Sequence, residues 1–564
     1  MRLHHLIRRA RIATIAAMFT AISVSVFAQN GQSQFSISLQ QASAQAAAQP
    51  QAESVRRLSI DEAVTMAMEQ NLGIRIQRFD PQIQDTSVAQ ARAFWAPNLT
   101  TSFNRNSQTL QSTNTFTGSG ASTLNQSFFN QVIFNQTLRT GAQYSATWSN
   151  ARTTTTNLSE IFVPRIGSGL NLQFSQPLMR NFEIDQIRQQ VANSRKSREL
   201  SDIQLGGVIT GTLRAVKNAY WDLSYAIANL KTQQQSLALS QQSLKDEQKR
   251  VEIGVRAPID IVQAQAEVAS NEERVIVAEA AIKAAQDNLR ALILDPGTPD
   301  FWNVVFEPTD AASFAAQAID TDAAVRNALD KRSDLRSAKN SLEQSETNIK
   351  YYRNQAKPEV DANVSYLTNV SGGTLLSPVT DLQAVIAGTA TRSVLSQRGF
   401  GTVLGDIFQN AYPNWTVGVS INYPIGSNVS QANLARVRLQ FEQAQAQLKN
   451  LEMQVATQVR GAARNVQTNQ QRVRSAGASR ELQEKKLEAE EKKLAAGMSS
   501  SFFVFQAQRD LAQARTIEIQ AISDYNKSLV DFEAVQQVPL GGGGGGITTA
   551  GSGAVATNGI FRTQ

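Results

Sequence analysis

The hydrophobic pattern changes its period along the chain, and each period predicts a different element. Val216, Leu223, Leu230, Leu237, Leu244 and Val251 fall every seventh residue. Val459, Val466, Val473, Leu487 and Leu494 keep the same period, with Arg480 as the one interruption. A strict seven-residue repeat predicts long helices, about 185–251 and about 430–495, that supercoil left-handedly against a neighbour. The second seam of the first long helix turns polar: Ile227 is followed by Gln234, Gln241 and Gln248. That suits a helix with one side toward water or a subunit boundary. Elsewhere the period drops to two. Trp415, Val417, Val419, Ile421 and Tyr423 alternate with polar or small residues, as do Leu170, Leu172 and Phe174, and Val360, Ala362, Val364 and Tyr366. These runs predict strands with one apolar face.

The pattern is written twice. Asp61, Ala63, Val64 and Ala67 recur as Asp322, Ala324, Val325 and Ala328, and the same offset carries Pro97 onto Pro358. Further on, Pro177 matches Pro424, Gly254 matches Gly497, and Gln263-Ala264-Gln265 matches Gln506-Ala507-Gln508, always in the same order. Each half (58–294 and 321–538) reads helix, strand, strand, long helix, turn, helix. The first helix of each half, about 59–95 and about 320–356, is stopped by Pro97 or Pro358, because proline has no N–H and clashes with the preceding turn. A long helix of about 67 residues spans ~100 Å. The flanking helices of the first half, about 59–95 and 259–294, cover that length only when stacked end to end. The second half repeats this with 320–356 and 502–537. The proline-containing link 295–320 is expected at mid-height, where the short helices meet.

Strands of about nine or ten residues are long enough to cross a bilayer when tilted. Trp415 and Tyr423 at the ends of one of them suit an interfacial aromatic girdle. Two strands per half cannot close a barrel, and open strand edges are not tolerated in lipid, so closure needs several copies. The Asn-, Gln-, Ser- and Thr-rich segment 104–165 and its counterpart 367–413 are expected as outward-facing loops. Within the first, Phe134, Gln136 and Leu138, then Tyr144, Ala146 and Trp148, alternate around Arg139-Thr140-Gly141. Residues 131–150 are therefore open to two readings, a loop or a further hairpin in the barrel.

Composition narrows the chemistry. The 564 residues include no cysteine, which excludes disulfides, thiolate chemistry and a lipidated cysteine. Both histidines, His4 and His5, fall in a predicted signal peptide, 1–28, built from Arg8, Arg9 and Arg11, an apolar run from Ile12 to Phe27, and small residues at Val26-Phe27-Ala28. The formal charge of +7 owes four of its arginines to that segment, so the rest carries too weak a bias to argue for nucleic acid. No cofactor or metal is implied. Residues 29–57 read as a disordered leader and 539–564 as a flexible tail that begins with a glycine run.

Taken together, residues 58–538 resemble the TolC family of outer-membrane efflux proteins. The resemblance rests on the duplicated plan, on the junctions Gln176-Pro177-Leu178-Met179 and Tyr423-Pro424-Ile425-Gly426, and on the turns that begin at Gly254 and Gly497. It implies a fold that is mainly α with membrane β. A long coiled-coil α-barrel is continuous with a trimeric, twelve-stranded β-barrel, four strands from each chain. It implies a homotrimer in outer-membrane lipid, serving as the exit duct of a tripartite efflux or type I secretion system. A periplasmic adaptor and an inner-membrane pump would be its partners, with the pump supplying the energy.

The two turns correspond to the periplasmic tips of that family. Gly254, Val255 and Arg256, with Gly497, Met498 and Ser499, are the expected adaptor-docking residues. Where family members carry acidic residues that narrow the entrance, this chain has Phe503 and Gln506. The family's tip arginine is replaced by Ser499, and a charged pair, Arg256 and Asp260, sits in the other turn. Asp260 has two readings: a ring of charge from three copies, or a carboxylate at the positive end of its own helix. Phe502, Phe503 and Phe505 point to an apolar constriction. Two other classes compete with a duct: a periplasmic adaptor and an envelope-spanning coiled-coil filament. An enzyme lacks a catalytic constellation.

Overall fold

The computed structural model describes residues 54–537 except 112–121, 255–256, 299–300, 311, 388, 424 and 427. The described elements belong to one compact unit, Glu53–Gln564. The signal peptide, the leader up to residue 53 and the tail lie outside the described residues, as do Val255 and Arg256. No described helix is long and apolar enough to cross a membrane.

The predicted first helix is broken into three: α1 (Ile60–Gln70), α2 (Leu72–Gln77) and α3 (Phe79–Ala93). Its start is sealed by a capping box, in which Ser59 and Glu62 satisfy each other's backbone N–H groups. Asn71 makes the first break. Its backbone is extended and its Oδ1 accepts from Ile74 N at 3.0 Å, so it ends one helix and caps the next. Pro81 does no harm, because it lies in the first turn of α3, where no helical acceptor is lost. In the second half the predicted helix over 320–356 is likewise two: α6 (Thr321–Lys331) and α7 (Ser333–Gln355), parted at Arg332.

The long helices run as their period predicts. They are α4 (Gln186–Glu252) and α10 (Val429–Ala495), 67 residues each, followed after tight turns by α5 (Pro258–Ile293) and α11 (Ser501–Gln536), 36 residues each. The short helices stack as the length argument requires. Asn71 Nδ2 donates to Leu292 O at 2.8 Å, joining α1–α2 to the end of α5. Gln537 beyond α11 accepts from Ser333 N at 2.5 Å and donates to Ser333 Oγ at 2.8 Å, joining α11 to α7.

The two cores lie where these stacks meet. In the first half Val216, Tyr220 and Leu223 of α4 pack with Ala63 and Ala67 of α1 and with Leu289 and Ile293 of α5. In the second, Val459, Val466 and Val473 of α10 pack with Leu335 of α7 and Tyr525 of α11. The second seam of α4 lies one residue earlier than hydrophobicity suggested. Ala219, Ala226, Ser240 and Glu247 are buried, whereas Gln234, Gln241 and Gln248 are exposed. Small side chains allow close approach, and a search for large apolar residues passes over them.

The first core is closed by a parallel pair, β1 (Ser54–Leu58) with β6 (Val304–Pro308). Residues 54–57, expected in the disordered leader, are therefore a strand. Its Leu58 and the facing Phe306 are buried in that core, and burial at about 25 cal/mol per Å² is the reason for the order.

The sheet departs most from expectation. Among the described residues it has seven strands rather than two per half. The first half alone supplies β2 (Asn98–Gln111), β3 (Ser122–Thr137), β4 (Gln143–Thr155) and β5 (Phe162–Pro177). The second half supplies β7 (Glu359–Leu376), the short β8 (Val394–Arg398) and β9 (Pro413–Asn422). The order β2-β3-β4-β5-β7 is antiparallel throughout. The far side of β7 carries β9 over its first part and β8 over its last. Much of 104–165 is thus wall rather than loop, and 131–150 is the inner end of a long hairpin. The 367–413 segment folds as the outer end of β7, α8 (Leu382–Ile386), β8 and α9 (Phe400–Phe408). Val403 and Ile407 of α9 lie on Val370, Ile166 and Leu170, while Phe400 and Phe408 remain exposed.

Candidate functional site

The chain offers two functional surfaces, the strand wall at one end of the long helices and the turns at the other. Strand registers define the faces of the wall. One face carries Leu99 and Phe103 of β2, Val132 and Phe134 of β3, Ala146 and Trp148 of β4 and Leu170, Leu172 and Phe174 of β5. Val364 and Tyr366 of β7 continue it to Trp415, Val417, Val419 and Ile421 of β9. Its residues at the edges are freely exposed, with Trp415 at 70% and Leu99 at 66%. The opposite face carries mostly Asn, Gln, Ser, Thr and Gly, with Phe129, Ile133 and Leu367 among them. It is the concave one: Asn98, Asn135, Gln143, Gln173, Ser365 and Thr416 line a single cavity of about 740 Å³, although β2 and β9 are opposite edges of the sheet. An apolar convex face and a polar concave face are what a barrel wall between lipid and water requires.

The inner rim of this wall is fastened to the helices. Gln136 Nε2 donates to Trp95 O at 2.8 Å, and the Arg139 guanidinium lies 5.5 Å from the centre of the Trp95 ring. Gly141, with φ +85°, turns the hairpin against Asn181, where a Cβ would come 2.8 Å from the Asn181 carbonyl oxygen. Arg188 binds the carbonyls of Phe182 and Glu183 beside it at 2.8 and 3.1 Å. The Arg139-Thr140-Gly141 turn therefore sits on the helix side of the wall.

At the far end, Gly254 and Gly497 terminate α4 and α10 in the left-handed conformation, with φ +76° and +74°. Their N–H groups bond Val251 O and Leu494 O at 2.9 and 3.1 Å. Among the described residues nothing lies within 4 Å of a Cβ built on either. Met498 is 74% exposed. Ser499 Oγ donates to Glu490 at 2.9 Å, and Lys493, followed by Ser499, holds that carboxyl below its ordinary range.

The sequence-predicted constriction residues fall on two helices. Asp260 stands half-buried in the first turn of α5, behind Pro258 at N1. Phe503 and Gln506 share the exposed side of the first turns of α11, with Phe502 edge-on to Phe503 at 5.6 Å between ring centres. Phe505 does not join them. It is buried with Leu494, Asp246 and Gln508 between α4, α10 and α11, because a position two residues on from Phe503 points to the other side of a helix.

A further joint at the tip escaped sequence reasoning. Glu247, only 3% exposed, accepts from Ser501 Oγ at 2.7 Å and from Arg250 Nη1 at 3.0 Å, tying the end of α4 to the start of α11. Deeper along the same pair of halves, Arg509 meets Glu267 at 3.1 Å and Lys527 meets Asp222 at 2.7 Å. Its one signal was the heptad position that Glu247 shares with Ala219, Ala226 and Ser240.

This arrangement is that of an outer-membrane channel: a two-faced antiparallel wall continued by a duplicated set of very long helices. The chain belongs to the outer membrane efflux protein family, whose model matches residues 137–293 and 324–535. No curated protein matches the sequence. Among solved structures, the CmeC outer membrane channel of Campylobacter jejuni is similar at 14% identity, with a TM-score of 0.56 and 85% of each chain covered. VceC of Vibrio cholerae is similar at 14% identity and a TM-score of 0.58, over 85% of this chain and 96% of that one. The open-state MtrE channel of Neisseria gonorrhoeae is similar at 16% and 0.56, over 85% and 88%. The protein is an outer-membrane exit duct for efflux, with its helical part in the periplasm.

Proposed function

We propose that the duct is a passive conduit that works as a homotrimer, joined through a periplasmic adaptor to an inner-membrane pump, in a tripartite efflux or type I secretion system. Residues 1–28 are its export signal, and the duct itself performs no chemical step. The carrying observation is the pair of open edges. Every residue of β9 is exposed, and so is all of β2 except Ser102, yet among the described residues neither edge has a partner strand. Unpaired backbone groups cannot face lipid, so these edges demand further copies.

In this reading Gly254, Val255, Arg256, Gly497, Met498 and Ser499 form the docking tips, and Asp260, Phe503 and Gln506 face the periplasmic entrance. Opening requires the inner ends of α10 and α11 to part from α4 and α5, against the Glu247–Ser501 joint. Two measurements on purified protein test the proposal. Native mass spectrometry in detergent should give a trimer, and planar bilayers should show conductance without any nucleotide. A stable monomer that conducts nothing sinks it.

A further inference from the structure

The two halves carry the same pair of helices, but the chain covers only one of the two pairs. One constant offset takes α4 onto α10 and α5 onto α11, first residue to first and last to last. Within the chain α11 lies on α4. The joint is antiparallel. It runs from Ser501 Oγ on Glu247 at 2.7 Å, through Gln508 Nε2 on Ser243 Oγ at 3.2 Å and Gln233 Nε2 on Thr516 Oγ1 at 3.4 Å, to Lys527 on Asp222 at 2.7 Å. Along it Phe505, Ala512 and Ser523 are buried. Their counterparts on α5, Val262, Ala269 and Ala280, are exposed, Val262 at 55% against 6% for Phe505. Ile276 and Val277 extend the same bare face.

α10 is bare where α4 is covered. Ala219 and Ala226 of α4 are buried, and Asp222 between them holds Lys527. The corresponding Ala462, Asn465 and Asn469 of α10 line, with Arg472, a groove of about 340 Å³. Small side chains on its floor let a helix approach closely when its own facing positions are small, as Ala280 and Ala284 of α5 are.

We propose that α5 of each copy lies antiparallel on α10 of the next, in the register that α11 keeps on α4 within the chain. This rests on the trimeric reading and says where the copies meet along the tunnel. The offset then sets Gln265 of one copy against Lys486 of the next, Ala280 against Asn469 and Ala284 against Asn465. Glu273 comes beside Arg472. Val262 comes beside Leu482, so two apolar side chains that are exposed in the single chain leave water together.

The seam between copies differs from the in-chain joint at the tip. Ser501, whose hydroxyl holds Glu247, has Pro258 as its counterpart, and proline offers no donor to Glu490, the counterpart of Glu247. Glu490 is held instead within its own tip, by Lys493 at 2.7 Å and Ser499 at 2.9 Å. The α10–α11 pair is therefore latched toward its own α4 and unlatched toward the neighbour's α5. Resistance to opening at this level comes from the three in-chain latches.

Crosslinking of the detergent-purified protein tests the seam, since the chain has no cysteine of its own. With a short thiol-to-thiol reagent, Ala284→Cys with Asn465→Cys, and Gln265→Cys with Lys486→Cys, should each give a covalent trimer on a denaturing gel. Val277→Cys with Asn465→Cys is displaced by seven residues, about 10 Å along the helix, and should not. Linking in the displaced pair alone, or in no pair while native mass spectrometry gives a trimer, overturns the seam. A monomer with no linking overturns the trimeric reading as well. Conductance in planar bilayers tests the latch. Pro258→Ser supplies the missing hydroxyl and should lower conductance several-fold, and adding Glu490→Ala should restore it. Pro258→Ala, which removes the ring and adds no donor, should conduct as the parent does. Unchanged conductance in Pro258→Ser, or an equal loss in Pro258→Ala, overturns the equivalence of the two joints at the tip.

Discussion

Asn71 and Arg332 stand at equivalent places in the two halves and bend their helices with nearly the same backbone angles, φ −61° with ψ 122° in one and φ −61° with ψ 132° in the other. The offset that relates them is the one that carries Pro97 onto Pro358. Both breaks lie where the short helices meet end to end. The duplicated bend lets two stacked helices follow one long coiled helix, but the side chains that hold it differ. Asn71 is buried and bonds both Ile74 N and Leu292 O. Arg332, partly buried, meets Asp334 through two nitrogens and reaches Gln458 at the exposed side.

The two bends should therefore differ in what they contribute. Asn71→Ala removes a cap and a buried bond and should cost about 1–3 kcal/mol. Arg332→Ala loses partly solvated contacts and should cost about 0–1 kcal/mol. Thermal unfolding followed by the helical circular dichroism band measures both. Equal losses would mean that the bend is set by the backbone, with no contribution from the Asn71 side chain.

Much of this fold was legible because its signals are periodic. The seven-residue repeat found α4 and α10 almost to the residue, and the duplication located the stack, the link and the tips. The helix breaks were missed because Asn71 and Arg332 are neither proline nor glycine, and their effect depends on contacts with α5 and α10. The hairpin was missed because polar residues dominate it: Thr123, Asn125, Ser127, Gln131 and Asn135 of its concave face are ordinary loop residues unless they line water inside a barrel. Glu247 was hidden for a related reason, since a charged residue in a seam reads as surface until Ser501 is found against it.

The equatorial joint should weaken in strong alkali. Tyr220 is fully buried, with its Oη 2.8 Å from Asp310 Oδ2 and 3.1 Å from Leu58 O, and it accepts from Asp310 N at 3.1 Å. Burial, above all, pushes its phenol from 10.0 up to about 12. A raised value means that the neutral phenol stabilises the fold fully below pH 10, and that this contribution disappears as the pH rises through about 12. Tyr220→Phe should cost about 1–2 kcal/mol at neutral pH and lose less stability than the parent between pH 9 and 11.5. Burial raises Tyr225 and Tyr351 as well, so an unchanged alkaline loss in the variant would assign it to them.

The direction of the hairpin can be read on whole cells. Ser122 begins β3 at the outer end of the wall, whereas Thr140 is the exposed tip of the turn on the helix side. With an impermeant maleimide, Ser122→Cys should label on intact cells. Thr140→Cys and Ser499→Cys should label only after the outer membrane is permeabilised. Labelling of position 140 but not 122 on intact cells would invert the wall.

The tips provide the test of docking. Gly254 and Gly497 both require a positive φ, so a bulky residue there would strain the turn as well as block a partner, and a loss of transport could not be assigned. Asparagine separates the two effects, because it tolerates the left-handed conformation far better than other side chains. Among the described residues nothing lies within 4 Å of the Cβ it would add at either turn. Gly254→Asn and Gly497→Asn should therefore keep trimer formation and shift the melting temperature by only a few degrees. If the six turns of a trimer seat an adaptor, each weak contact acts with its neighbours, and a small intrusion repeated three times should lower export sharply through lost avidity. Gly211→Asn places the same side chain on open α4 wall and is the control. Dye accumulation in cells measures export, and crosslinking from Met498→Cys reports whether a partner is still seated. Normal export and crosslinking in both tip variants, at normal protein levels, would remove docking from the tips. Loss of both in Gly211→Asn would move it to the tunnel wall.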